Sequence, residues 1–123
     1  MFCSDPFVMA NPIEFTTILR SLMLKNGFVE FYEVIVDTNF NQIRIEKCKI
    51  LEFLPDSRLK LSRLIDGYFY DQEIEIKSLF GNESVITLNT ATASKVRNSI
   101  IHSFKTNPTL FSQLKAEIAY NKS

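Results

Sequence analysis

Four groups of residues have the chemistry to act on something. They are the single His102, the cysteines Cys3 and Cys48, the alternating carboxylates Asp71, Glu73 and Glu75, and the basic run Arg58-Leu59-Lys60-Leu61-Ser62-Arg63. Histidine is the natural acid–base group near neutral pH, but His102 has neither a cysteine nor a carboxylate beside it in sequence. Ser103 next to it belongs to no nucleophile-elbow pattern, so His102 reads as a surface or helix-edge side chain. Cys3 and Cys48 are far apart and form no C-x-x-C pair. They read as one exposed thiol and one half-buried small hydrophobe rather than a disulfide. A zinc site needs about four nitrogen or sulfur ligands, which one histidine and two distant cysteines do not supply.

Asp71, Glu73 and Glu75 alternate, so on a strand they share one side. Such a row presents oxygen ligands suited to a divalent ion. It also describes an ordinary solvated strand face opposite Ile74 and Ile76, and that reading is adopted. Phosphate-binding loops of the G-x-x-x-x-G-K-[ST] or G-x-G-x-x-G type are absent, and the three glycines fall at element boundaries. The expectation is therefore no catalytic set, no cofactor and no metal. The basic run is a candidate for docking a phosphate or the acidic face of a partner, through Arg58, Lys60 and Arg63.

The elements that must position these groups are legible in part. Asn11 caps a helix from Pro12 to about Asn26, with Glu14 at its third position and Gly27 as its left-handed stop. Phe15, Ile18, Leu19, Leu22 and Met23 form its apolar stripe. Phe28–Val36 is a strand with apolar residues on both sides. After the turn-forming 37–41 segment, Ile43–Leu54 is a second strand. Its apolar residues change parity between Ile45 and Cys48, which predicts a bulge near Glu46–Lys49.

Arg58–Asp66 fits either an alternating strand or a short helix carrying Leu61, Leu64 and Ile65 and stopped by Gly67; the helix is preferred. Tyr68–Phe80 contains the clean alternation Glu73-Ile74-Glu75-Ile76-Lys77, and Gly81-Asn82 signals a hairpin to a strand Val85–Asn89. Thr90 or Thr92 then caps a helix bearing Val96, Ile100, Ile101 and Phe104. A second Asn-Pro pair, Asn107-Pro108, starts a last helix with Leu110, Phe111, Leu114 and Ile118. The fold class expected is α+β: an N-terminal helix, an antiparallel sheet of about four strands in two hairpins with a short helix between them, and two C-terminal helices. Residues 1–11 form an N-terminal arm and 12–123 a single domain.

Composition bounds the function. With 123 residues the chain makes one core, and 46% hydrophobic and 23% charged residues are ordinary for a globular domain. No stretch approaches the ~20 apolar residues of a membrane span. The first twelve residues lack the basic and apolar regions of a secretory leader, so a cytoplasmic protein is expected. Lysine plus arginine and aspartate plus glutamate both number 14, yet residues 1–40 hold two basic against five acidic side chains and residues 81–123 five against two. Opposite ends of this kind suit docking or self-association.

The eleven phenylalanines include Phe2 and Phe7 in the arm and Phe40 at a hairpin tip, candidate anchors for a partner. The reading is a non-enzymatic interaction or regulatory module, expected as a homodimer. Two other readings are kept: an enzyme whose site assembles through space, and a nucleic-acid-binding domain using Arg97 and Lys105 on the basic helical pair. The helical phase puts those two about 80° apart and Lys95 some 160° away from Arg97, so the cations do not form a stripe. With a pI near 6.6 as well, duplex DNA is not an expected partner.

Overall fold

The N-terminal helix forms as its caps dictate. In the computed structural model, which describes residues 8–37, 42–81 and 84–106 (side chains through 102), α1 spans Pro12–Asn26. The Asn11 side chain accepts from the Glu14 N–H at 2.9 Å. Gly27, at φ 83°, turns the chain out of the helix and donates to the Met23 carbonyl. A short strand β1 (Val8–Met9) precedes α1. β2 (Val29–Asp37), β3 (Gln42–Leu54), β4 (Arg58–Ile65) and β5 (Tyr68–Glu75) follow, then a 3-10 segment (Ile76–Phe80), β6 (Ser84–Thr87) and α2 (Thr90–Thr106).

All six strands form one antiparallel sheet in the order β1-β6-β2-β3-β4-β5. This corrects the expected layout of about four strands in two hairpins. Strands β2 to β5 are a continuous meander. The chain after β5 does not turn back beside it at Gly81-Asn82; it crosses through the 3-10 segment and inserts β6 between β1 and β2. Arg58–Ile65 is a strand, not the preferred short helix. Gly67 closes a hairpin instead of stopping a helix. Asp66 (φ 52°) and Gly67 (φ 83°) are both left-handed, and they join the paired residues Ile65 and Tyr68 in the two-residue turn that matches strand twist. The final helix expected from Asn107-Pro108, with Leu110, Phe111, Leu114 and Ile118, lies outside the described residues.

Each face of the sheet has its own cover. On the front face α1 and the 3-10 segment pack on Phe31, Cys48, Ile50, Leu59, Leu61 and Ile86, with Phe15 edge-on to Phe31 at 5.2 Å. On the back face α2 sets Ala93, Val96 and Ile100 against Val34, Val36 and Val85, with Ile43 and Ile45 at the margin. This explains the parity change in β3. Pairing with β2 runs without interruption from Val29↔Ile50 to Asp37↔Gln42, so there is no bulge near Glu46–Lys49. Ile43 and Ile45 face α2, whereas Cys48 and Ile50 face α1: two half-covered faces mimic a register slip. The irregularity in β3 falls between Ile50 and Glu52, where the extra residue Leu51 brings Phe53 back to the front. The cap of α2 is Asn89, whose side chain accepts from the Thr92 N–H at 2.8 Å, rather than Thr90 or Thr92.

The turn at Asp66-Gly67 supplies a direct check. A Cβ at residue 67 meets nothing within 4 Å, so substitution there is opposed only by the backbone conformation. Gly67→Val is expected to cost about 1–2 kcal/mol in urea denaturation. Gly81→Ala, where φ is −69°, should stay within about 0.5 kcal/mol of the parent.

Candidate functional site

The charged residues of the sheet divide between a buried cluster and an open edge. On the front face, beyond the reach of the apolar core, Glu33 of β2 lies directly opposite Glu46 of β3. Both carboxylates are buried. Like charges in opposed positions repel, and Arg63 of β4 resolves the conflict. Its Nη1 donates to Glu33 and, at 2.9 Å, to Glu46. Its Nε donates to Gln72 of β5 at 3.3 Å. Arg44 adds a second cation, 3.2 Å from the other Glu46 oxygen. One guanidinium thus ties four consecutive strands. Among the described residues no buried side-chain polar atom lacks a partner, so the cluster is complete as it stands.

Cys48 lies beneath this cluster, paired in register with both Phe31 and Arg63. Burial pushes its thiol up to about 12; Arg63 opposes the shift, and Glu33 and Glu46 add to it. Burial also works against the Arg63 charge, but the surrounding Cys48, Glu33 and Glu46 outweigh it and hold the guanidinium above its ordinary value. Cys48 is therefore a protonated core residue at neutral pH. His102 is exposed on α2, which covers the back face, while Cys48 points to the front. The sheet separates them.

The candidate docking run is also divided. Arg58 and Lys60 lie exposed on the back face, whereas Arg63 has the parity of Leu59 and Leu61 and is buried in front. Arg58 pairs with Glu73 at 3.1 Å, and Lys47 with Glu30 at 3.1 Å, so the open half of the back face alternates in sign. Asp71, Glu73 and Glu75 share this back face at alternate positions of β5. Residues two apart on a strand are separated by roughly 6.5 Å and do not converge. Among the described residues no group of three or more histidine, cysteine or acidic side chains is placed to hold a metal ion. Phe2, Phe7, Phe40 and the Lys105 side chain lie outside the described residues; Arg97 is exposed on α2.

The feature that sequence reasoning missed is the outer edge of the sheet. Among the described residues β5 has no neighbour beyond it, and Tyr68, Phe69 and Tyr70 are 69%, 65% and 50% exposed. Phe69 projects on the back face with Asp71 and Glu73, and Tyr70 on the front with Gln72. A two-residue turn makes Ile65 and Tyr68 a mutually hydrogen-bonded pair, so Phe69, Asp71 and Glu73 turn their N–H and C=O groups outward. The same parity continues at Ile76, whose N–H bonds inward to the Ser57 carbonyl at 2.9 Å. The signal for this edge was present: three successive aromatics after an Asp-Gly turn cannot all face one core.

A separate open cleft of about 470 Å³ lies where the start of α1 meets the β3–β4 turn and the 3-10 segment, lined by Thr16, Thr17, Asp56, Ser57, Glu75 and Lys77 among others. Neither histidine nor cysteine lines it, and its Glu75 and Lys77 pair with each other at 3.1 Å.

The inertness of Cys48 is measurable. In a Cys3→Ser background the native chain should not react with a thiol reagent at pH 8 until urea unfolds it. The unfolded thiol ionises near ~8.5, while the folded one keeps its proton until about pH 12. The stabilisation is thus fully present below the unfolded value and is lost as pH rises. Between these values stability should fall by about 1.4 kcal/mol per pH unit from this group, and Cys48→Ala should remove that part of the alkaline slope. No protein-family model, no curated protein and no solved structure matches the chain.

Proposed function

We propose that the chain is a small non-enzymatic protein-interaction module that binds by strand addition at the open edge of β5. The observation that carries this reading is the edge itself: eight residues of β5, nearly all exposed on both faces, with three aromatic side chains and a row of outward backbone groups. Edge strands of this length are normally shortened, bulged or covered. Its counterpart β1, at the far side of the sheet, has the side chains of Val8 and Met9 buried. The aromatics supply apolar contact area of the kind that anchors interfaces, and the backbone groups supply the ladder that strand addition uses.

Catalysis is less well supported, because Cys48 is protonated and buried and the sheet separates it from His102. Nucleic-acid binding is less well supported because Arg58 and Lys47 on the open face are each paired with a carboxylate. No helix among the described residues is long and apolar enough to cross a membrane.

The test is a photo-crosslinking residue placed at Phe69 of the full chain and irradiated in its native lysate. A discrete protein adduct is expected from position 69 and none from Leu24, which is 90% exposed on α1. Glu73→Pro removes one outward N–H and leaves the backbone ladder to β4 in place, losing only the exposed Arg58–Glu73 ion pair, which a Glu73→Gln control removes without the N–H. The proline variant should abolish the adduct and leave the melting curve in place. No adduct at position 69, one that survives Glu73→Pro, or equal labelling from Leu24 would overturn strand addition.

A further inference from the structure

The charges along β5 narrow the choice of partner strand. On its inner side, Asp71, Glu73 and Glu75 stand opposite Ser62, Lys60 and Arg58 of β4. The strand already beside β5 is therefore basic at alternate positions. On the outer side the same carboxylates are the first charges that an added strand would meet. Arg58 already reaches Glu73 at 3.1 Å and Lys77 reaches Glu75 at 3.1 Å, both pairs exposed, which leaves Asp71 as the carboxylate of this row without an ion pair among the described residues.

A second copy of this chain fits that side poorly. Two β5 edges related by a two-fold axis perpendicular to the sheet pair antiparallel and keep the same face on each side. Pairing centred on Asp71 opposes Asp71 to its own symmetry mate. Pairing centred on Gln72 opposes Asp71 to Glu73 twice. Registers centred on Phe69 or Tyr70 avoid this, but they engage only residues 68–72 or fewer of a strand that runs Tyr68–Glu75. Long self-pairing is blocked by like charge and short self-pairing leaves most of the ladder unused.

Resting on the strand-addition reading, we infer that the β5 edge selects an extended segment of another protein that carries lysine or arginine at alternate positions. These basic side chains lie on the back face beside Asp71 and Glu73, and the intervening residues contact Tyr70 and the Gln72–Ile74 side in front. In either strand direction, alternate residues of the added segment fall on the acidic face, so the pattern and not the orientation is what is recognised. Carboxylates on the edge thus exclude self-pairing and admit a basic partner with the same residues.

The test uses the full chain and three labelled nine-residue peptides. One alternates lysine with valine, one alternates glutamate with valine, and one holds the same lysines in a single block followed by the valines. Fluorescence anisotropy should rank the alternating lysine peptide about tenfold or more above the other two, the difference expected from two or three cross-strand charge pairs. Hydrogen exchange should show new protection at the amides of Phe69, Asp71 and Glu73. Asp71→Lys with Glu73→Lys should reverse the ranking of the two alternating peptides.

If the glutamate peptide binds as well and protects the same amides, the edge reading stands and the basic preference is wrong. If the block peptide binds as well without protecting them, the attraction is unspecific charge and the inference fails. If no peptide protects these amides and position 69 forms no crosslink, both the inference and the strand-addition reading fail. If the chain alone protects them in a concentration-dependent dimer, the occupant is a second copy and the inference is overturned.

Discussion

Two buried carboxylates on neighbouring strands must have their charge neutralised, and in this sheet a guanidinium between them does so. Glu33 and Glu46 are opposed in register, and the Arg63 guanidinium bonds both and reaches on to Gln72. Removing charges from water costs several kcal/mol per ion unless geometry and hydrogen bonding compensate, so the arrangement makes a weak case for net stability. Its stronger effect is on register. A slip of one residue in β4 would carry Arg63 to the back face and strand both carboxylates in front. Arg63 thus fixes the register of β4, and through it β5 and the aromatic edge, together with Leu59 and Leu61 buried on the same face.

The same cluster explains what could be read from the chain and what could not. The cap residues of α1 act locally, so Asn11, Pro12 and Gly27 placed its ends correctly. β4 was misread because its alternation is completed by a charge. Leu59, Leu61 and Arg63 share the front face, but an arginine scored as polar breaks the strand pattern and leaves Leu61, Leu64 and Ile65 looking helical. The partners that bury Arg63 are thirty and seventeen residues away, and nothing near it in sequence announces them. The Asp66-Gly67 pair was the local signal that outweighed the helical spacing. In β3 the error had the opposite origin. Helices on different halves of the two faces produced a parity change that a single-faced sheet would make only with a bulge.

The candidate site was legible only as composition. A high aromatic content points to anchors, but loop and terminal position single out Phe2, Phe7 and Phe40, which lie outside the described residues, and not Tyr68, Phe69 and Tyr70. Edge status is a property of sheet order, and sheet order depends on β6 leaving β5 to insert beside β2. A hairpin at Gly81-Asn82 would have covered β5. The 3-10 segment instead carries the chain away, its Ile76 and Leu79 buried in the front core, and no other described strand pairs with the β5 edge.

The most direct measurement of this account is the stability and amide exchange of Arg63→Met beside the triple variant Arg63→Met, Glu33→Leu, Glu46→Leu. Leaving Glu33 buried without its cation and Glu46 with Arg44 alone should cost the single variant about 3–5 kcal/mol, with β4 and β5 amides losing protection first, whereas the triple variant should return to within about 2 kcal/mol of the parent. A single variant within about 1 kcal/mol of the parent, with β4 and β5 protection unchanged, would show that the register is held by the apolar core alone.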